Sequence, residues 1–102
     1  MPYPYDFHPL AEEELFEIID YLDGVRSGYG SLFAELISDE IELIISHPGR
    51  YPSVNELGTI RKAILPKPFH KAYSIYFEFQ DDKILFISIF NNSRNPDEWQ
   101  NR

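Results

Sequence analysis

Not one cysteine occurs among the 102 residues, which excludes disulfide cross-links, zinc–thiolate centres and thiol nucleophiles together. No apolar run approaches the roughly 20 residues that span a bilayer. The opening Met1-Pro2-Tyr3-Pro4-Tyr5-Asp6 has neither the basic start nor the long apolar stretch of a secretion signal. A soluble, cytoplasmic protein without a membrane partner is the expectation. Bases are scarce as well: nine Lys and Arg stand against 17 Asp and Glu, and the net charge of -8 argues against generic nucleic-acid binding. Low-complexity tracts and internal repeats are missing too. With 16% aromatic and 43% hydrophobic residues, the chain is read as one folded domain spanning residues 1–102.

The charge that is present is unevenly spread. Residues 1–46 hold eleven acids and one base, Arg26, for a net -10. Residues 47–80 reverse the sign to +3, through Arg50, Arg61, Lys62, Lys67 and Lys71 against Glu56 and Glu78. Either two surfaces serve different partners, or solvated helix faces and ordinary surface lysines account for the split.

The acidic half has helical periodicity. Pro9 suits a first helical position, Glu12, Glu13 and Glu14 complement the macrodipole of the first turns, and Leu10, Leu15, Ile18, Ile19 and Leu22 form an apolar stripe. Asp23-Gly24 is the expected stop. After Ser27-Gly28-Tyr29-Gly30, apolar residues from Leu32 to Ile45 recur at helical spacing until His47-Pro48-Gly49 ends the segment. Two helices joined so briefly form an antiparallel hairpin. Tyr3 to Phe7, bounded by prolines, is expected as an edge strand.

The second half alternates. Thr59 to Leu65, His70 to Phe79 and Lys83 to Asn91 are strand candidates, the last two joined by a turn at Asp81-Asp82. A two-residue loop there sets Phe79 opposite Ile84, Phe77 opposite Phe86, Ile75 opposite Ser88 and Tyr73 opposite Phe90, all facing the core. Tyr76, Ile87, Ile89 and Asn91 then share the other face, a mixed surface suited to a groove. In the first strand either Ile60 and Ile64 or Ala63 and Leu65 can point inward; the expectation taken is Ile60 and Ile64, which leaves Arg61 on the groove. At the chain's end, Pro96 halts the last ladder and Trp99 lies within a turn of Arg102, an arrangement that pins a tail back onto the sheet with Arg94 beside it.

Other constellations dissolve. His8, His47 and His70 lie in three separate elements without ligand spacing, so helix-end roles are expected and no metal or cofactor. Ser27-Gly28-Tyr29-Gly30 has no Lys and no preceding strand, unlike a phosphate loop. Tyr51 and Tyr76 are read as packing aromatics rather than base-stacking platforms.

Five short stretches, in order, resemble the RelE/ParE superfamily of type II toxin–antitoxin toxins. They are Phe7-His8-Pro9-Leu10-Ala11-Glu12 with Leu15, His47-Pro48 followed by Tyr51-Pro52, Ile60-Arg61-Lys62-Ala63-Ile64-Leu65, Tyr73-Ser74-Ile75-Tyr76-Phe77, and the tail Arg94-Asn95-Pro96 with Trp99. The tail is similar to the Arg-Asp-Pro and Trp ending of the ParE-like branch. The resemblance implies an α+β fold, a helical hairpin packed on a small, mainly antiparallel sheet. It also implies toxin activity and neutralisation by a cognate antitoxin, as a heterocomplex with or without a homodimer.

Departures from the RelE branch bear on mechanism. Ribosome-dependent mRNA endonucleases of that branch use clustered cations, often with a Tyr or His, to stabilise charge at the scissile phosphate. Here Arg61 fits the first basic position, but Ala63 takes the second and Ser74 replaces a central-strand Arg. Asn91 aligns with a usual His and Ser93 with a frequent second Arg. Only Arg61 and Arg94 remain as catalytic candidates for the endonuclease alternative. The ParE-like mode, associated with poisoning of DNA gyrase, needs no acid–base residue, and an interaction module without toxicity is a third alternative. Residues assigned to target or antitoxin binding are Arg61, Tyr76, Ile87, Asn91, Arg94 and Trp99.

Overall fold

A computed structural model describes residues 2–102 of the chain. It begins with strand β1 (Tyr5–Phe7), followed by helices α1 (Pro9–Val25) and α2 (Tyr29–Ser46). Then come β2 (Ile60–Ile64), β3 (Tyr73–Gln80), β4 (Lys83–Asn91) and a short helix α3 (Asp97–Gln100).

His8 starts α1: its Nδ1 accepts the Leu10 N–H at 3.1 Å, and Pro9 follows where no donor is needed. The expected stop at Asp23-Gly24 is overrun, and α1 continues to Val25. Asp23 does not end its own helix but caps the next one, its Oδ1 accepting the Gly30 N–H at 2.8 Å. Gly28, at φ +85°, makes the left-handed turn between the helices that an L side chain resists. Gly30 lets them touch: a Cβ there would stand 2.5 Å from the Ile19 carbonyl oxygen. The helical hairpin is thus as expected, and Pro48 follows its end after His47 donates its N–H to the Leu43 carbonyl at 3.0 Å.

The four strands form one sheet in the order β1-β4-β3-β2. β1 is an edge strand as expected and runs parallel to β4, whereas β4-β3 and β3-β2 are antiparallel. Asp81 and Asp82 both have positive φ, 54° and 59°, the backbone of a two-residue turn whose twist matches the strands it joins. β3 starts at Tyr73, later than the expected His70, because the Ala72 and Tyr73 N–H groups close a turn onto the Phe69 carbonyl.

Near the turn the expected pairs Phe79–Ile84 and Phe77–Phe86 are present. Further along, a bulge between Tyr76 and Phe77 leaves Ile87 as an extra residue on β4. Ile75 therefore opposes Ile89, not Ser88, and Tyr73 opposes Asn91, not Phe90. A one-residue slip exchanges faces. Ile89 joins the core beneath the helices, and Phe90 turns to the opposite side with Tyr76.

The helices cover one face of the sheet. Ile18, Leu22, Phe33, Ile37 and Ile44 meet Ile75, Phe77, Phe86 and Ile89 there, and Phe33 stands edge-on to Phe69 and Tyr73 at centroid distances of 5.0 and 5.2 Å. The expected orientation of the first long strand is reversed. Ala63 is fully buried and Leu65 nearly so in this core, while Ile64 is 63% exposed and Ile60 packs on the far face. Pairing decides the matter: Ala63 lies opposite core-facing Ile75 and Arg61 opposite Phe77, so both follow their partners under the helices.

Candidate interaction site

Arg61 does not reach the groove. Its guanidinium lies on the helix side and donates to the Tyr51 carbonyl at 2.6 Å. Tyr51 in turn packs edge-on against Phe77, at 5.6 Å, and its hydroxyl donates to Glu40 Oε1 at 3.1 Å. Burial, followed by the charge of Glu40 and their hydrogen bond, pushes the Tyr51 hydroxyl up to about 12. Burial likewise raises the Glu40 carboxyl above its ordinary range, against the lowering effect of that hydrogen bond. Arg61 and Tyr51 thus tie the loop before β2 to α2, and Tyr51 is a packing aromatic as expected. A cation on the far face is Lys62, whose Nζ lies 5.8 Å from the Tyr76 ring centroid. Strand alternation is the signal that locates it, once Ala63 rather than Ile64 is taken as inward.

Three of the other singled-out residues meet on that far face. Trp99 of α3 stacks on Tyr76 at a centroid distance of 4.0 Å and 18° between planes, above buried Ile87 and Phe90. The tail is therefore pinned to the sheet by Trp99, and it closes over the ground expected to be an open groove. A second clamp lies at the terminus. Arg102 donates to both Glu14 oxygens, at 2.7 and 3.0 Å, and to the Ile87 carbonyl at 3.0 Å, while Ser88 donates to Glu14 Oε1 at 2.8 Å. Glu14 thus anchors the tail, whereas Glu12 is the acid in the first turn of α1. No local pattern marks this pair, because its members are 88 positions apart.

Asn91 and Arg94 stand at the other end of β4. The bulge places Asn91 opposite Tyr73, on the helix side rather than in the groove. Its Oδ1 accepts from the Ser93 N–H at 3.0 Å and the Ser93 hydroxyl at 2.7 Å, which turns the chain toward α3. Arg94 is 59% exposed and 3.7 Å from Glu98, a surface pair of little energetic weight. Ser74 is buried and donates to Asn92 Oδ1 at 2.9 Å. The six residues thus divide into Tyr76 and Ile87 beneath the tail with Trp99 of the tail upon them, Asn91 and Arg94 at its root, and Arg61 across the sheet.

The architecture and the sequence have relatives. A solved structure of the chromosomal ParDE TA system from P. aeruginosa superposes with a TM-score of 0.70 at 15% identity, covering 87% of this chain and 95% of that one. At that identity the likeness concerns the fold. No curated relative matches the sequence. The family model described as the ParE toxin of type II toxin-antitoxin system, parDE, matches residues 5–96, from β1 through the sheet to the root of the tail. With the hairpin and the whole sheet inside that match, this chain belongs to the ParE toxin family of type II toxin–antitoxin systems.

Proposed function

We propose that the protein halts growth by binding a protein target, DNA gyrase, in the cytoplasm, and that a cognate antitoxin neutralises it. The observation that carries the proposal is the dispersal of cations and acid–base groups around the sheet. Arg61 is engaged with Tyr51 beneath α2, Arg94 stands in solvent, and by the resemblance Ala63, Ser74 and Asn91 take the places of a second basic residue, an Arg and a His of the nuclease branch. Phosphodiester cleavage needs donors aimed where charge develops, and the loss of one such donor costs about 100-fold or more in rate. A binding toxin needs only a shaped surface.

The target-contacting part is assigned to Asn91, Arg94 and the tail held by Trp99, with Tyr76 and Ile87 supporting it. Arg61 acts from inside, through Tyr51. The antitoxin is assigned to the outer hairpin, where Phe16, Tyr21 and Val25 of α1 and Leu32 and Leu43 of α2 remain exposed, apolar anchors of the kind an amphipathic partner helix covers.

Purified toxin should inhibit supercoiling by gyrase and leave mRNA intact on translating ribosomes, and Arg94→Ala should weaken growth arrest. Codon-specific cuts in the ribosomal A site, abolished by Arg94→Ala, would establish the endonuclease instead.

A further inference from the structure

The sheet has two edges, and they are treated differently. At β2 the first half is covered by the preceding loop, where the Val54 N–H donates to the Ile60 carbonyl at 2.8 Å and the Lys62 N–H to the Pro52 carbonyl at 3.1 Å. Pro66 then offers no donor. At β1 the Ile84 N–H donates to the Pro4 carbonyl at 3.0 Å and the His8 N–H to the Phe86 carbonyl at 2.9 Å. Alternate residues of such a parallel ladder turn their backbone groups inward, so Asp6 serves β4 while Tyr5 and Phe7 face outward. Tyr3, one step earlier on that side, gives its N–H to the Ile45 carbonyl at 2.8 Å. The N–H and C=O groups of Tyr5 and Phe7 have no backbone partner among the described residues. Such a row is a template for a further strand.

Beside this edge runs an apolar groove of about 320 Å³. Tyr5 and Phe7 line it from the sheet, Leu15 from α1, and Ile37, Ile41 and Ile45 from α2. Tyr5 is 46% exposed, which leaves its ring for a neighbour to cover. A strand added to β1 sends the side chains opposite Tyr5 and Phe7 over this groove and the one between them to the other face. There Asp6 shares a hollow with Glu78, Asp81 and Lys83, three acids to one base. The ion pairs of the described residues, Arg94–Glu98 and Arg102–Glu14, involve none of the four. Opposite Asp6 a base is favoured.

A second copy of the chain fits this edge poorly. Two β1 strands crossing antiparallel at Asp6 set like charges face to face. Crossing at Phe7 places Pro9, which has no N–H, opposite the Tyr5 carbonyl. Crossing at Tyr5 needs the Tyr3 N–H, which is already on Ile45. We propose that β1 instead receives an extended segment of a different protein, with apolar residues opposite Tyr5 and Phe7 and a Lys or Arg opposite Asp6. It runs antiparallel, the stabler pairing per residue. Main-chain bonds to Tyr5 and Phe7 hold it, and the groove and the acids select its sequence. The site does not depend on which target the toxin poisons.

Titration of the intact protein with the blocked peptide Ac-Ser-Lys-Val-Lys-Val-Lys-Ser-NH2, followed by amide NMR and hydrogen exchange, tests the proposal. Saturable shifts and slowed exchange are expected at the Tyr5 and Phe7 amides, with exchange at Asp6 unchanged because β4 already holds that amide. N-methylation of both valines removes the donors that face β1 and should abolish binding, whereas N-methylation of the central lysine, which faces away, should be tolerated. Asp6→Asn should weaken the peptide about threefold. Ser38→Phe, at an exposed position lining the groove, should fill it and weaken the peptide about tenfold. No saturable shift, slowed exchange that spares Tyr5 and Phe7, equal binding of the valine-methylated peptide, or unchanged affinity in Asp6→Asn would each overturn the proposal. Slowed exchange at the same amides in the protein alone, growing with concentration as a dimer forms, would make a second copy the occupant and overturn it as well.

Discussion

Replacing Trp99 with alanine separates a tail that completes the core from one that merely touches the surface. The indole is 6% exposed, stacked on Tyr76 at 4.0 Å, and backed by Ile87, Phe90 and Ile60. Truncation of a Phe or Trp inside a closed core costs about 3–5 kcal/mol, from lost transfer free energy and the cavity left behind. Two features keep the tail from simply lifting away to relieve that cavity. Arg102 remains clamped on Glu14 and Ile87, and Asn92 remains bonded to Ser74 and to the Lys71 and Ala72 carbonyls. Trp99→Ala should therefore lower stability in denaturant unfolding by about 3 kcal/mol or more, read by far-UV circular dichroism with an unchanged slope. Trp99 is the only tryptophan, so fluorescence of the unsubstituted protein reports the tail alone. Its transition should coincide with that of circular dichroism. A loss below about 1 kcal/mol, or fluorescence that melts well before the sheet, would refute the tail as part of the core.

Other expectations follow from the same contacts. Phe86→Ala should cost about 3–5 kcal/mol in the same assay, because Phe86 is fully buried between Phe77 and a stacked Phe7; a loss near zero would refute the pairing of β3 with β4. Gly30→Ala forces a methyl to within 2.5 Å of the Ile19 carbonyl oxygen and should cost about 1–3 kcal/mol, and a neutral result would mean that α1 and α2 separate freely. The Tyr51 hydroxyl titrates near 10.0 in an unfolded chain and at about 12 when folded. The folded state holds that proton longer, so the contribution is fully present below the lower value and is lost as pH climbs to the higher one. Tyr51→Phe should flatten this stretch of the stability profile in pH-dependent denaturant melts, and an unchanged slope would refute the assigned environment.

The sequence by itself determined the elements and their kinds. Pro9 and the period of Leu10 to Leu22, the stop at His47-Pro48, and the alternation around Asp81-Asp82 are local signals, set by backbone geometry within a few residues. Phe77 opposite Phe86 follows from the turn alone, because a two-residue loop fixes the first pairs. The order of motifs also carried the family resemblance, and Trp99 behind Pro96 was legible as an anchor.

Tertiary structure decided what those local signals leave balanced. Ile60 with Ile64 and Ala63 with Leu65 alternate equally well, and only the pairing of Ala63 with Ile75 selects the second set and carries Arg61 under α2. The bulge at Ile87 needs no unusual residue, yet it exchanges the faces of Ile89 and Phe90 and moves Asn91 out of the groove. Asp23 looked like a helix stop because its bond to Gly30 belongs to the next helix. Glu14 with Arg102, and Arg102 with the Ile87 carbonyl, join the first helix and the last strand to the tail. Such contacts are fixed by how whole elements stack, which local periodicity does not encode.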